Sequence, residues 1–208
     1  MRATDTKQVL DTRAGLVPFI ITDQLKELCT ELSGTSVASV VGCNGQSFRE
    51  NILFTHRGLS GPAILQISSF WQLGDAVEIN LLPDRDALEW LQGRQAARPD
   101  SELKTVLGEV FTKRMAALLA DGWFASKPMR RYTPAELRDI AEKLGAWQVV
   151  PAGTEGYRTA EVTLGGVEGM RIHTLAAQRG QHTAAGHQRH LAFGAAAAHQ
   201  DGHLAQRL

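Results

Sequence analysis

Apolar positions recur at two spacings along the chain. Leu16 to Ile21 (LVPFII) is a short apolar run with β-branched residues and predicts a strand, with Pro18 at an edge or at its start. Thr22 or Asp23 then caps a predicted helix whose apolar face is Leu25, Leu28 and Leu32, and Gly34 stops it. Val37 to Val41 and Ser47 to Phe54 predict two strands. Asn44-Gly45 between them readily takes the positive φ angles of a tight hairpin turn. Asp75 to Leu81 alternates apolar and polar side chains, as a half-buried strand does, and Pro83 ends it.

Beyond Pro83 the spacing changes to threes and fours. Asp84 caps a predicted helix carrying Leu88 and Leu91, and Gln92 to Asp100 forms a polar connector. Asp100 or Ser101 starts a longer helix with Leu103, Val106, Leu107, Val110, Met115 and Leu118 on one face. Thr133-Pro134-Ala135-Glu136 is a capping box: Thr133 covers a free amide, Pro134 lacks one, and Glu136 reaches back. The stripe Leu137, Ile140, Leu144 follows, ending at Gly145. Trp147 to Val150 and Tyr157 to Leu164 predict strands again. This order predicts an α+β fold, with one helical hairpin set into a mainly β unit whose first and last segments pair.

The 208 residues suffice for a hydrophobic core without disulfide or metal staples. Twenty-two basic and 22 acidic side chains give zero formal net charge, so global charge offers no argument for nucleic acid or an anionic membrane. The charges are unevenly spread: residues 1–170 carry a net −3 and the remaining residues +3, together with six of the seven histidines. That tail is rich in Ala, Gln and Gly and predicts disorder. His199 and His203 within it stand four apart, as metal ligands on a helix would, but no second shell or amphipathic pattern accompanies them, and no metal site is predicted. Cys29 and Cys43 belong to no CxxC pattern and predict buried, reduced thiols in a cytoplasmic setting. No apolar run approaches the roughly 20 residues of a membrane span.

The densest motif is Phe54-Thr55-His56-Arg57-Gly58-Leu59-Ser60-Gly61-Pro62-Ala63. It reads as a strand end, a glycine turn, a Ser60 cap and a helix over Ala63 to Phe70. Free amides at such a helix start attract anions, so His56, Arg57, Gly58, Ser60 and Gly61 form a candidate site for a phosphate or carboxylate. A well-capped helix without a ligand is the competing reading. Trp71, Trp90, Trp123 and Trp147 are scattered and predict core or interface packing rather than base stacking. Lys127, Arg130 and Arg131 form a small basic cluster, read as a solvated loop or as a contact to a nicotinamide-cofactor phosphate.

Five blocks carry a family resemblance: Arg13 to Phe19 (RAGLVPF), Glu31 to Val37 (ELSGTSV), the THRGLSGPAIL stretch from Thr55, Ile79 to Pro83 (INLLP), and Ala160 to Val167 (AEVTLGGV). In this order and spacing the chain resembles the BaiN/YhiN-type flavoproteins, also described as aminoacetone-oxidase-like NAD(P)/FAD-dependent oxidoreductases, over about residues 11–167. In that family a FAD-binding Rossmann-like domain is interrupted by an insert in which a β-barrel-like part is intertwined with a helical part. The resemblance implies that residues 1–15 are a remnant of the FAD domain and that 16–158 are the insert. The β part would be 16–82 and 147–158, the helical part 84–146, and 159–167 the strand re-entering the FAD domain. It places Thr163, Gly165 and Gly166 near the flavin and His56 to Pro62 towards a substrate cleft.

The implied function is that of a fragment of a FAD-dependent oxidoreductase, the part on the substrate side. The complete protein would transfer hydride or electrons between flavin, NAD(P) and a small organic substrate, with no nucleic-acid or membrane partner. A GxGxxG turn is absent from the sequence, and no Gly-Gly-Tyr-Asn segment follows Val167. The expectation is therefore an incomplete gene product, truncated at the front and frame-shifted within 168–208, inactive and without bound FAD on its own. The alternative is a free-standing small-anion-binding or interaction module built on the same fold.

Overall fold

The structure, a computed structural model, describes residues 9–167. In chain order the elements are β1 (Val9–Gly15), β2 (Phe19–Ile20), α1 (Asp23–Glu31), β3 (Ser36–Cys43), β4 (Gln46–Thr55), β5 (Gly58–Ser60), α2 (Pro62–Ser68) and β6 (Val77–Asn80). Next come α3 (Ala87–Ala97), α4 (Leu103–Leu107), α5 (Lys113–Trp123), α6 (Pro134–Gly145), β7 (Trp147–Val149), β8 (Gly153–Thr154) and β9 (Val162–Val167). The α+β class holds. The predicted tail, its histidine pair and residues 1–8 lie outside the described residues.

Seven strands pair antiparallel in the order β7-β6-β3-β4-β5-β2-β8. Laid flat, the two outer strands would stand about 29 Å apart at the usual strand spacing. Only Val150, Pro151 and Ala152 join them, and four Cα steps reach at most about 14 Å. The sheet must therefore curl until its edges nearly meet. A barrel-like body results, and its interior takes Phe19, Ile52, Phe54, Leu59 and Ile79, all with at most 1% of their surface exposed. Helix α2 packs on β3, β4 and β5 through Ala63, Ile64 and Ile67. The hairpin turn is Asn44-Gly45, both at positive φ, as the sequence predicts.

The helical part lies between β6 and β7 in the chain, with α3 against α6 and α4 against α5. It shares one continuous core with the strands. Trp147 illustrates the join, since its indole meets Phe54 of the barrel at 6.4 Å and Trp123 of α5 at 5.1 Å. The single helix predicted from residue 101 divides in two. Gly108 ends α4, and the Thr112 hydroxyl accepts from the Met115 amide to start α5. Asp86, not Asp84, caps α3 by accepting from the Glu89 amide at 2.8 Å, while Asp84 pairs with Arg49. The predicted polar connector continues α3 to Ala97, where half-buried Gln95 donates to the carbonyls of Met129 and Tyr132.

The first and last predicted strands are shorter than the sequence suggests. Leu16 takes a positive φ of 48° and leaves only Phe19 and Ile20 in the sheet. Tyr157 sits in a 3-10 turn, Gly156–Arg158, before β9. Strands β1 and β9 form a separate two-stranded antiparallel ribbon, with Ala14 opposite Thr163 and Gly15 opposite Val162.

The capping box of α6 is complete. The Thr133 amide donates to Glu136 at 2.7 Å, the Glu136 amide returns to the Thr133 hydroxyl at 3.2 Å, and Lys127 adds an ion pair at 2.5 Å. The Lys127 hydrogen bond and then those from Thr133 hold the Glu136 carboxyl down at about 2, from an ordinary 4.5. A carboxyl whose folded-state pKa is lowered stabilises the fold above its unfolded value and loses that contribution as pH falls through the folded one. Acid titration of thermal stability should show wild type losing, between about pH 4.5 and 2, an increment that Glu136→Gln never has. Parallel acid limbs for the two proteins would contradict this.

Candidate functional site

The His56 to Gly61 motif folds differently from a strand–turn–helix. The Thr55 hydroxyl accepts from the amides of Arg57 and Gly58 and closes a tight turn, leaving His56 and Arg57 exposed at its tip. Gly58 to Ser60 then forms β5, where a Cβ on Gly58 would lie 2.4 Å from the Phe19 carbonyl oxygen. Ser60 pairs with Leu53 inside the sheet and does not cap the helix. Gly61 does so, at φ 90°, and a Cβ there would meet the Leu53 amide nitrogen at 2.7 Å. The cap of the seven-residue α2 is thus buried against β4, with Pro62 exposed beside it. His56 and Arg57 stand at the opposite end of β5, about 10 Å away by strand rise. The predicted anion site at the Ser60 helix start is corrected on this ground: its two halves are not brought together.

Arg57 faces another segment instead. Its guanidinium pairs with Glu155 at 3.3 Å, and the Glu155 side chain is 12% exposed. Backbone bonds fix the same juxtaposition: Ile21 donates to Arg57, Ala152 to Ile20, and Glu155 to Pro18. The β4–β5 turn and the Gly156–Arg158 turn therefore share one face. Tyr157 there is 59% exposed, and Arg158 beside it is exposed and has no carboxylate partner among the described residues. Sequence reasoning missed Tyr157 and Arg158 by placing them in a strand. The signal was Gly156, whose φ of 71° makes the turn.

Thr163, Gly165 and Gly166 lie in the β1–β9 ribbon. Gly165 is at φ 87°, and a Cβ on it would fall 2.1 Å from the Asp11 carbonyl oxygen, so close strand approach accounts for this glycine. Gly166, also at positive φ, has open space around it. Arg13 fastens the ribbon to the barrel by donating to the carbonyls of Trp71 at 2.9 Å and Ser69 at 2.5 Å, just past the end of α2. Ser68 and Ser69 add bonds from the Val17 and Leu16 amides. Of the two ribbon glycines, backbone thus fills the space at Gly165, while Gly166 leaves it open.

The remaining candidates resolve simply. Lys127 pairs with Glu136 and Arg130 with Asp100, while Arg131 is exposed at the end of the Met129–Arg131 3-10 turn. Cys29 is buried, which pushes its thiol up to about 12 and leaves no reactive thiolate; Cys43 is raised by burial and then by Asp75. Trp71 and Trp147 are core residues, and Trp90 and Trp123 are half-buried. Among the described residues no cluster of three metal-ligating side chains occurs, and no helix is long and apolar enough to cross a membrane.

Comparison with known proteins agrees with this geometry. Residues 13–162 match the family described as HI0933-like protein barrel and H2TH domain. The chain is 49% identical over 162 residues to the ribosomal RNA dihydrouridine synthase of Escherichia coli K12, and 40% identical over 162 residues to that of Haemophilus influenzae Rd. Each alignment covers 77% of this chain and 40% of the relative. These names set an RNA-modifying activity against the expectation of no nucleic-acid partner, and neither is an aminoacetone oxidase.

Ser60 and Gly61 separate the two readings of the motif. Ser60→Ala should leave unfolding stability within about 0.5 kcal/mol of wild type, as for a residue without a cap bond. Gly61→Ala should cost roughly 1–3 kcal/mol or more, through positive φ and contact with β4. The opposite ranking in denaturant unfolding would restore Ser60 as the cap.

Proposed function

Because this chain belongs to the HI0933-like protein barrel and H2TH domain family, we propose that it is the substrate-side insert of a flavin-dependent oxidoreductase whose substrate is a uracil base in ribosomal RNA. The observation that carries the insert reading is the β1–β9 ribbon. It sets Gly15, where the chain enters the barrel, opposite Val162, where it leaves. Two adjacent strands are what a domain set into another chain presents at its point of attachment. Leu10 and Val162 on this ribbon are exposed apolar residues, and an isolated two-stranded ribbon is marginal in water.

RNA replaces the small organic substrate of the sequence reading because both curated relatives carry that substrate in their names. Dihydrouridine differs from uridine by two hydrogens across the C5–C6 bond. The reaction is thus a two-electron reduction, within the chemistry expected of FAD with NAD(P)H as electron source. On this reading the flavin is held by residues outside 9–167, and the part of this barrel is to present RNA to that site.

A domain exchange tests this reading. Residues 11–167 would replace the aligned segment of the E. coli relative, in cells lacking that protein. Ribosomal RNA from these cells should regain dihydrouridine by mass spectrometry, and the purified hybrid should retain a flavin's visible absorption. A hybrid that folds and holds flavin but leaves ribosomal RNA without dihydrouridine would contradict the reading.

A further inference from the structure

We propose that the face formed by the β4–β5 turn and the Gly156–Arg158 turn is a single-stranded RNA contact surface, in which Tyr157 stacks on a base and Arg158 and Arg57 meet the flanking phosphates. The inference rests on RNA being the substrate and adds where on this chain it binds. Three observations converge on this face.

The first is the exposed ring. Leu10, Leu73, Val150, Tyr157 and Val162 are the large apolar side chains left exposed among the described residues, and Tyr157 is the one aromatic ring in that set. Aliphatic side chains suit a protein neighbour, whereas a flat ring also offers a stacking face to any base. The second is rigidity. The turn that carries Tyr157 is closed by amides of Thr159 and Ala160 donating to the Gly156 carbonyl, and the Glu155 amide ties it to Pro18. The ring is displayed on a fixed backbone, so ordering it on binding costs little.

Charge is the third. Glu155 is the carboxylate within these two turns, and Arg57 neutralises it at 3.3 Å while keeping 44% of its own side chain exposed. The turns then present Arg158, the free side of Arg57 and His56, with exposed Glu161 three residues beyond Arg158. Such a combination fits the anionic backbone and unstacked bases of single-stranded RNA. The 3-10 turn also packs against β1, beside the ribbon through which the rest of an enzyme would attach.

The test uses the whole 208-residue chain and a short fluorescein-labelled oligouridylate, with binding followed by anisotropy over a range of salt. Tyr157→Phe should bind as wild type does. Tyr157→Ala should bind roughly fivefold to a hundredfold more weakly, the usual effect of losing one stacked base. Arg158→Ala should weaken binding and reduce the salt slope by about 0.7, one phosphate on a single strand. Lys113→Ala with Arg114→Ala, a pair of exposed cations at the start of α5, should leave affinity unchanged, and all variants should melt as wild type does. Wild-type affinity in both Tyr157→Ala and Arg158→Ala, or no binding by the wild-type chain, would overturn the proposal. None of these outcomes decides whether the hybrid restores dihydrouridine, so the two readings fail separately.

Discussion

A three-residue connection constrains the whole β part. Val150, Pro151 and Ala152 must link the two outermost strands of a seven-stranded sheet, and they can do so only if the sheet closes on itself. Closure removes most of the exposed strand edge and gives Phe19, Ile52 and Phe54 a common interior. It also seats β2 between β5 and β8, and so brings the turn at residues 56–57 alongside the segment from Gly153 to Arg158. The candidate contact face is a consequence of that closure. Neither turn could form it alone.

The same closure leaves the chain ends of the barrel side by side, and Arg13 fixes the angle at which they depart. Its guanidinium reaches carbonyls just past the C-terminal end of α2, where the helix dipole favours a cation. The ribbon is therefore anchored to the helix that packs on β3, β4 and β5. A body joined to a larger protein through two strands needs such an anchor if it is to hold a substrate at a fixed distance from chemistry supplied elsewhere. The chain spans 40% of the length of the two curated relatives, and the barrel with its helices is the part they share with it.

Local signals in the sequence were legible where one turn of chain decides the structure. The Thr133–Glu136 capping box and the Asn44-Gly45 turn occur as written, because every atom they need lies within four residues. Ser60-Gly61-Pro62 misled for the complementary reason. The local grammar of a helix cap is satisfied, but pairing with Leu53 draws Ser60 into a strand, and close contact with β4 requires glycine at 61. The division between α4 and α5 was visible only as Gly108 and Thr112 inside an otherwise continuous stripe. The β1–β9 ribbon joins residues some 150 apart, and VLDTRAG carries no alternation to announce a strand. The anion-site residues were half right as a location: His56 and Arg57 do face outward, but their neighbours are Glu155 and, two residues on, Tyr157, set there by the sheet and not by the helix.

Amide hydrogen exchange of the chain with and without oligouridylate tests most directly whether sheet closure builds one RNA-facing surface. The account predicts added protection confined to two segments distant in sequence, around residues 55–58 and 154–160, rising together with RNA concentration. Protection in only one of them, or protection confined to other segments, would contradict it.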